Sequence, residues 1–348
     1  MFKQIFRTIE DSVDRVGEGF EKLIGQKDPL VIKCYAGFGD EKQARIRGRV
    51  LARQEIPAPG AQDSEWRNVV NMTKRWLTDE VPNAHLSGTF RGETVEAVTD
   101  EEGYFVLDFQ SPVDPLLEGL WAEAQLVLIN NPEVKATGTI QVPAKDANYG
   151  IISDIDDTVL HTGATNFLNM VRTTLTGNAL TRTVFEGVSD FYAQLQKGSD
   201  GQKENPFFYV TSSPWNLYDL LLEIFEKNVI PQGSLFMKDW GIDDNKFLTS
   251  GHQTHKLDAI EEVIEFFPEM KFILIGDSGQ EDPEIYAEVL ARHPKAIVAA
   301  YIRDVTVDTR DAAVQKLAAE ARESTAELLL IPDTSAAVEH ARTSGFIV

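Results

Sequence analysis

Cysteine is almost missing from this sequence: Cys34 is the only one in 348 residues. A single thiol excludes an intrachain disulfide and any zinc site built from several thiolates, and it suits a reducing compartment. Basic residues are scarce as well. Lys and Arg number 33 against 55 Asp and Glu, a formal charge of -22. The long-range field therefore repels nucleic acid and anionic membranes, and an anionic substrate has to be met by local groups. Long apolar runs are lacking too, since stretches such as AIVAAYI fall far below the ~20 residues a membrane span needs. The opening stretch MFKQIFRTIEDSVDRVGEGF carries acidic residues from Glu10 onward and lacks the apolar segment of a signal peptide. These absences predict a soluble, cytoplasmic protein. What is present, 43% hydrophobic and 25% charged residues over 348 positions, suffices for a sizeable core and predicts two domains.

Periodicity divides the chain into three stretches. Over 1–28, Phe2, Ile5, Phe6, Ile9, Val13, Val16, Phe20, Leu23 and Ile24 recur at helical spacing, and Gly25 and Pro29 close the segment. This predicts an amphipathic helix. Its charges are slightly acidic rather than basic, which favours packing against the protein over lying on a membrane. From 29 to 145 the pattern changes to short runs rich in Val, Ile and Thr, among them VIKCY, QARIRGRVL, TVEAVT, YFVLDF, QLVLI and ATGTIQV. They predict an antiparallel β-sandwich, with TVEAVTDEEGYFVLDF as a hairpin about its Asp-Glu-Glu-Gly turn. Trp66, Trp76 and Trp121 read as packing residues of this part. From 146 to 348, apolar runs (GIIS, FFYVT, KFILI, AIVAAYI, ELLLI) alternate with helical segments (NLYDLLLEIFEKN, KLDAIEEVIEFF, PEIYAEVLARH, DAAVQKLAAEARE). That alternation predicts an open α/β domain with a parallel sheet, whose ligands bind at the carboxyl ends of the strands.

Four places after those runs carry chemistry. In IISDIDDTV a buried strand ends in Asp154, Asp156 and Asp157. Carboxylates at this density repel one another unless a cation compensates, and hard oxygen ligands suit Mg²⁺. An EF-hand starting at Asp154 would need Gly and Glu where Val159 and Thr165 stand, so that alternative fails. In FFYVTSSPW, Thr211, Ser212 and Ser213 follow a strand and Pro214 stands where a first helical residue belongs, with Ser213 the expected N-cap. Free N–H groups and hydroxyls at such a start suit a phosphate. In GHQTHKLDAI, Thr254 is the expected cap, and Lys256 in the first turn opposes the helix dipole unless an anion faces it. In KFILIGDSGQEDPEIY, Asp277 sits on a strand end while Asp282 opens the next helix. Asp277 is the better metal ligand, since Asp282 has capping as a plain structural reason.

In this order, DIDDT, VTSS, the helix-start Lys256 and GDSGQED resemble the four motifs of the haloacid dehalogenase-like (HAD) phosphohydrolase superfamily. SDIDDTV, FYVTSSPWNLYD, GDSGQEDPEIY and AYIRDV are similar, more narrowly, to the catalytic domain of the actin-patch-associated phosphatidate phosphatase family. The resemblance covers roughly the last 200 residues. It implies a Rossmann-like HAD domain preceded by an immunoglobulin-like β domain. It implies Asp154 as the nucleophile that becomes an aspartyl phosphate, Asp156 as general acid and base, and Lys256 as the cation offsetting their charge. Mg²⁺ would be held by the Asp154 side chain, the Asp156 carbonyl and Asp277, while Thr211, Ser212 and the following N–H groups would bind phosphoryl oxygens. Asp157 is assigned no chemical duty, and Asp282 is expected to support the metal or Lys256.

Between Thr158 and Thr211 lie 52 residues, and between Thr211 and Lys256 lie 44, too few for a large cap domain beside the core elements. Partial cover could come from the β-sandwich or from 161–182. An uncapped site resembles those of superfamily members acting on bulky substrates. The expectation is thus a phosphatidate-type lipid phosphatase that visits a membrane surface. The charge of -22 keeps open a soluble phosphomonoesterase on another bulky substrate. A non-catalytic scaffold binding a protein partner through its β-sandwich is the remaining alternative.

Overall fold

The computed structural model describes residues 29–52, 79–110, 119–160, 184–238, 252–305, 314, 317 and 327–348. Outside them lie the expected helix over 1–28, Trp66, Trp76, the segment 161–182 and all but two residues of the Ala-rich stretch 311–323.

The first part is strands alone: β1 (Leu30–Cys34), β2 (Gly37–Gly39), β3 (Ala44–Ala52), β4 (Asp79–Glu80), β5 (His85–Phe90), β6 (Glu93–Val98), β7 (Tyr104–Phe109), β8 (Trp121–Leu128) and β9 (Asn131–Gln141). They hydrogen-bond in the order β1-β3-β2-β9-β8-β5-β6, with β4 and β7 on β3, and every pair is antiparallel except β2 with β9. Burial alternates residue by residue along β7 and β8, as one-sided strands require. The inward side chains, including Ile46, Leu86, Phe90, Leu107, Phe109 and Ile140, form one core. The sheet folds onto itself around that core. A Cβ at Gly138 of β9 would stand 2.2 Å from Ile46 of β3, and one at Gly88 of β5 would stand 2.5 Å from Leu107 of β7, so these two glycines let facing strands approach.

The hairpin expected about Asp100 does not form. The turn itself exists, with Gly103 N–H donating to Asp100 O and Gly103 at φ 81°, but β6 pairs with β5 and β7 pairs with β3. The chain there crosses from one side of the core to the other. The tight hairpin joins β5 and β6 through Arg91 and Gly92, both at positive φ (48° and 86°), the two-residue turn whose twist matches paired strands.

The second part is a parallel sheet, as the alternation predicted: β10 (Gly150–Asp154), β11 (Phe207–Pro214), β12 (Ser234–Lys238), β13 (Phe272–Asp277), β14 (Ile297–Arg303) and β15 (Glu327–Ile331), in the order β12-β11-β10-β13-β14-β15. Its helices are α1 (Val188–Lys197), α2 (Tyr218–Lys227), α3 (His252–Phe266), α4 (Asp282–Arg292) and α5 (Thr334–Thr343). Apolar residues of α1, α2 and α5 pack on one face, and those of α3 and α4 on the other. Covered on both sides, β10 and β13 are buried at every position. From β10 the chain first builds outward through β11 and β12, then returns to place β13 on the other flank of β10. The carboxyl ends of β10 and β13 therefore flank the switch point where such sheets hold ligands. No helix among the described residues is long and apolar enough to cross a membrane.

Two helix starts differ from expectation. β11 runs through Pro214, and a short 3-10 turn, Trp215–Leu217, leads into α2, so Ser213 is not an N-cap. α3 begins at His252, ahead of Thr254, which puts Lys256 one turn into the helix.

The two parts pack closely. Phe38 of β2 is buried in the α/β core beside Phe208, Phe236, Phe266 and Phe267, with its ring centroid 4.8 Å from that of Phe266. Glu262 of α3 pairs with both Arg45, at 2.8 Å, and Arg47. Truncating so buried an aromatic removes apolar contact and leaves a cavity. Phe38→Ala is expected to destabilise the protein by about 3–5 kcal/mol in urea unfolding, and an unchanged midpoint would contradict this packing.

Candidate active site

The carboxyl ends of β10 and β13 each finish on an aspartate, and both residues point at the start of α4. Asp154 closes β10 and Asp277 closes β13, both buried. Lys256 reaches them from α3. Its Nζ lies 2.8 Å from Asp154 Oδ1 and 2.6 Å from Asp282 Oδ1. Carboxylate oxygens of Asp154, Asp277 and Asp282 stand within 4.8 Å of one another. The sequence-predicted Asp154, Asp277 and Lys256 thus meet in one place.

The oxygens in this cluster divide by partner. Asp282 donates nothing to capping: Oδ1 takes Lys256 and Oδ2 accepts the Asp277 N–H at 3.2 Å. Gly276 makes room for it, since a Cβ there would stand 2.5 Å from Asp282 Oδ2. Asp277 Oδ1 accepts the N–H groups of Gly279 (2.6 Å) and Gln280 (3.1 Å). Asp154 Oδ2 and Asp277 Oδ2, by contrast, are buried without a hydrogen-bond partner. Buried carboxylate oxygens facing nothing are costly, and a hard divalent cation between them is the arrangement that such a donor set fits.

Asp156 stands apart from that trio. Its Oδ2 accepts from Thr211 Oγ1 at 2.7 Å and Ser213 Oγ at 3.3 Å, its Oδ1 is buried and unpartnered, and its carbonyl accepts from Gln280 Nε2 at 3.3 Å. Thr211 Oγ1 also accepts the Ser213 N–H at 3.0 Å. A hydroxyl has one proton, so Thr211 while bonded to Asp156 cannot also donate to a phosphoryl oxygen. Half-buried Ser212 lies next to it in the chain. Asp157 gains a structural reason. It sits at φ 57°, a left-handed conformation that aspartate tolerates better than most residues, and its N–H donates to Leu160 O at 2.8 Å.

Residues 149–304 match the family described as the catalytic domain of phosphatidate phosphatase APP1. Over this stretch the chain is similar to that family. The stretch holds Asp154, Asp156, Thr211, Lys256, Asp277 and Asp282. The chain is 34% identical over 163 residues to phosphatidate phosphatase APP1 of Saccharomyces cerevisiae, covering 45% of this chain and 27% of that protein. It is 31% identical over 216 residues to an uncharacterised protein of Schizosaccharomyces pombe, covering 60% of this chain and 34% of the relative. The match thus spans about a third or less of either relative's length. Among solved structures, a carbohydrate acetylesterase from Xanthomonas citri covers 83% of this chain and 72% of its own at 8% identity, with a TM-score of 0.28, too slight a likeness to carry an argument.

Within this site the electrostatics follow from burial. Desolvation pushes the Asp154 carboxyl well above the usual range, against the pull of Lys256. It also raises Asp156, opposed first by the Thr211 hydrogen bond. Desolvation, then repulsion from Asp282, lifts Asp277 to about 7. Burial works against the Lys256 ammonium too, yet Asp154 and Asp282 outweigh it and hold the lysine above its ordinary pKa. Sequence reasoning passed over Ser213 and Gln280 as partners of Asp156. Their signal was only adjacency to the VTSS and GDSG turns, since which hydroxyl or amide reaches back depends on the turn's conformation.

Asp277 sets a pH dependence. Its carboxyl ionises near 4 in the unfolded chain and at about 7 in the fold. The unfolded state therefore sheds the proton first, and the folded state loses stability as pH rises across that window. Chelator-treated protein should unfold at lower urea concentration at pH 7 than at pH 5, with Asp277→Asn flattening that difference. An identical slope in the variant would refute the assignment. At Asp157, a β-branched residue meets the left-handed φ directly: Asp157→Val should cost about 1–2 kcal/mol in thermal unfolding, and Asp157→Asn far less.

Proposed function

We propose that this chain is a Mg²⁺-dependent phosphomonoester hydrolase of the phosphatidate phosphatase type, acting through an aspartyl phosphate on Asp154. The observation that carries it is the pair of partnerless oxygens, Asp154 Oδ2 and Asp277 Oδ2, beside Lys256 at the switch point of the sheet. The same reading takes the parallel-sheet part as a HAD domain and the antiparallel part as an immunoglobulin-like sandwich. Asp154 and Asp277, with the Asp156 carbonyl, would hold Mg²⁺. When bound, the ion would neutralise charge on the phosphoryl oxygens.

The chain's own residues then divide the chemistry. An Asp154 carboxylate oxygen attacks phosphorus as the bond to the leaving alcohol oxygen breaks, and Asp156 gives that oxygen its proton. A carboxyl raised by burial and held by Thr211 and Ser213 is suited to carry that proton. In the second half, the Asp156 carboxylate takes a proton from water. The water oxygen attacks phosphorus, inorganic phosphate leaves, and Asp154 is restored. Lys256 supplies the fixed positive charge that lets an anionic phosphate approach an anionic nucleophile. Thr211 is read here as the residue that aims Asp156, with Ser212 and the turn's backbone beside the phosphoryl group.

Phosphatidate is the substrate suggested by the yeast relative's name. The charge of -22 favours a water-soluble monoester as the second reading. Phosphate release by the purified chain from phosphatidate in mixed micelles, set beside water-soluble monoesters, separates the two. Turnover is expected with Mg²⁺, with suppression by Ca²⁺, whose looser coordination misplaces the nucleophile. Asp154→Asn should lower kcat at least about a thousandfold and Asp156→Asn about 10²–10⁴-fold. Full turnover in the presence of chelator, or in Asp154→Asn, would remove the mechanism.

A further inference from the structure

The antiparallel part touches the catalytic domain at particular elements. Tyr35, between β1 and β2, stacks on Trp215 with ring centroids 4.0 Å apart and planes at 23°. The Ala36 N–H donates to the Tyr218 hydroxyl at 2.9 Å, and Ser234 Oγ donates to Gly37 O at 2.8 Å. From β9, Gln141 Nε2 donates to Phe207 O at 2.9 Å and to Ser234 Oγ at 2.8 Å. These partners belong to β11, β12, the helical turn after β11 and the first residue of α2. They are the elements that frame Thr211–Ser213.

Within that frame the β11/β12 pairing is interrupted. The β11/β12 ladder is regular up to Val210, paired with Phe236, and resumes only at Pro214, paired with Lys238. Between them Thr211 and Ser213 leave the register, and they are the residues that hold Asp156 Oδ2. This irregular stretch of β11 follows the ladder, is bonded through the Thr211 backbone to His255 of α3, and leads through Pro214 to Trp215. Tyr35 covers that tryptophan.

We propose that Tyr35 is a positioning residue for the acid step: by stacking on Trp215 it sets the Thr211–Ser213 turn and, through it, the Asp156 carboxyl. The catalytic unit then extends beyond 149–304, and the antiparallel part completes it rather than being carried alongside. The inference rests on the phosphatase reading, in which Asp156 protonates the leaving oxygen.

Leaving-group chemistry tests it. An alkoxide must be protonated as it departs, whereas p-nitrophenolate leaves without that proton, so misplacing Asp156 slows an alkyl phosphate far more than p-nitrophenyl phosphate. A loss of folded protein lowers both alike. The quantity to compare is kcat/KM, which reports only the steps up to departure of the leaving group and not the later attack of water that Asp156 also assists. In the full chain with Mg²⁺, Tyr35→Ala is expected to lower kcat/KM roughly tenfold or more for an alkyl phosphate and less than about threefold for p-nitrophenyl phosphate. Tyr35→Phe, which keeps the stacking ring, should restore the wild-type ratio. Equal losses on the two substrates, no loss on either, or a Tyr35→Phe ratio like that of Tyr35→Ala would overturn the proposal while leaving the phosphatase reading intact. A wild-type chain inactive on both substrates would overturn the two together.

Discussion

The acidic cluster at the carboxyl edge of the parallel sheet depends on one buried cation, the Lys256 ammonium between Asp154 and Asp282. Charges taken out of water cost several kcal/mol each unless paired with good geometry. Here one lysine faces three buried aspartates, Asp154, Asp277 and Asp282, with Asp156 beside them. It satisfies Asp282 and half of Asp154. Asp277 answers part of its own requirement through the Gly279 and Gln280 N–H groups. What is left over is negative and concentrated on Asp154 Oδ2, Asp277 Oδ2 and Asp156 Oδ1. The protein can meet that remainder by holding protons, which is the sense of the raised carboxyls, or by holding a cation.

The sheet makes that concentration of charge attainable. β10 and β13 are apolar along their length and covered by helices on both faces, so no ionisable side chain could sit within them. Their carboxyl ends are where the coverage stops. Because the chain changes direction between β12 and β13, two such ends lie side by side without a crossover helix above them. Lys256 and Asp282 arrive from α3 and α4 on the same face of the sheet, which is why a lysine 26 residues away in sequence meets Asp282. The close approach at Gly276 lets Asp282 turn back toward Asp277.

Much of this was legible in the sequence, for physical reasons that also mark its limits. Fully buried strands announce themselves as apolar runs, so GIIS and KFILI located β10 and β13 and hence Asp154 and Asp277. β12 (SLFMK) and β5 (HLSGTF) escaped notice, since short strands with Ser, Gly and His carry little periodicity. The hairpin misassignment has a similar cause. Asp100–Gly103 forms a turn with sound local chemistry, but which strands pair across a turn is decided by the packing of distant faces. Asp157 read as surplus charge because backbone conformation is invisible in a composition of carboxylates. For Thr211, expected to bind phosphoryl oxygens, the fold adds a partner that spacing did not reveal, Asp156, 55 residues away in sequence.

The excess of acidic residues bears on how an anionic substrate is met. In β1 and β3, Lys33, Arg45, Arg47 and Arg49 could form a basic surface, yet each faces a carboxylate: Asp219, Asp108 and Glu262, Glu262, and Glu80 respectively. Two of these partners, Asp219 and Glu262, belong to α2 and α3, so Lys33, Arg45 and Arg47 join the two parts, while Arg49 pairs within the antiparallel part. Screening confines the field of exposed charge to about 8 Å at physiological salt. On the proposed phosphatase reading, a phosphate at the carboxyl edge of the sheet would respond to Lys256 far more than to the distant acidic surface. Recognition of the phosphoryl group and repulsion at long range are compatible because they act at different distances.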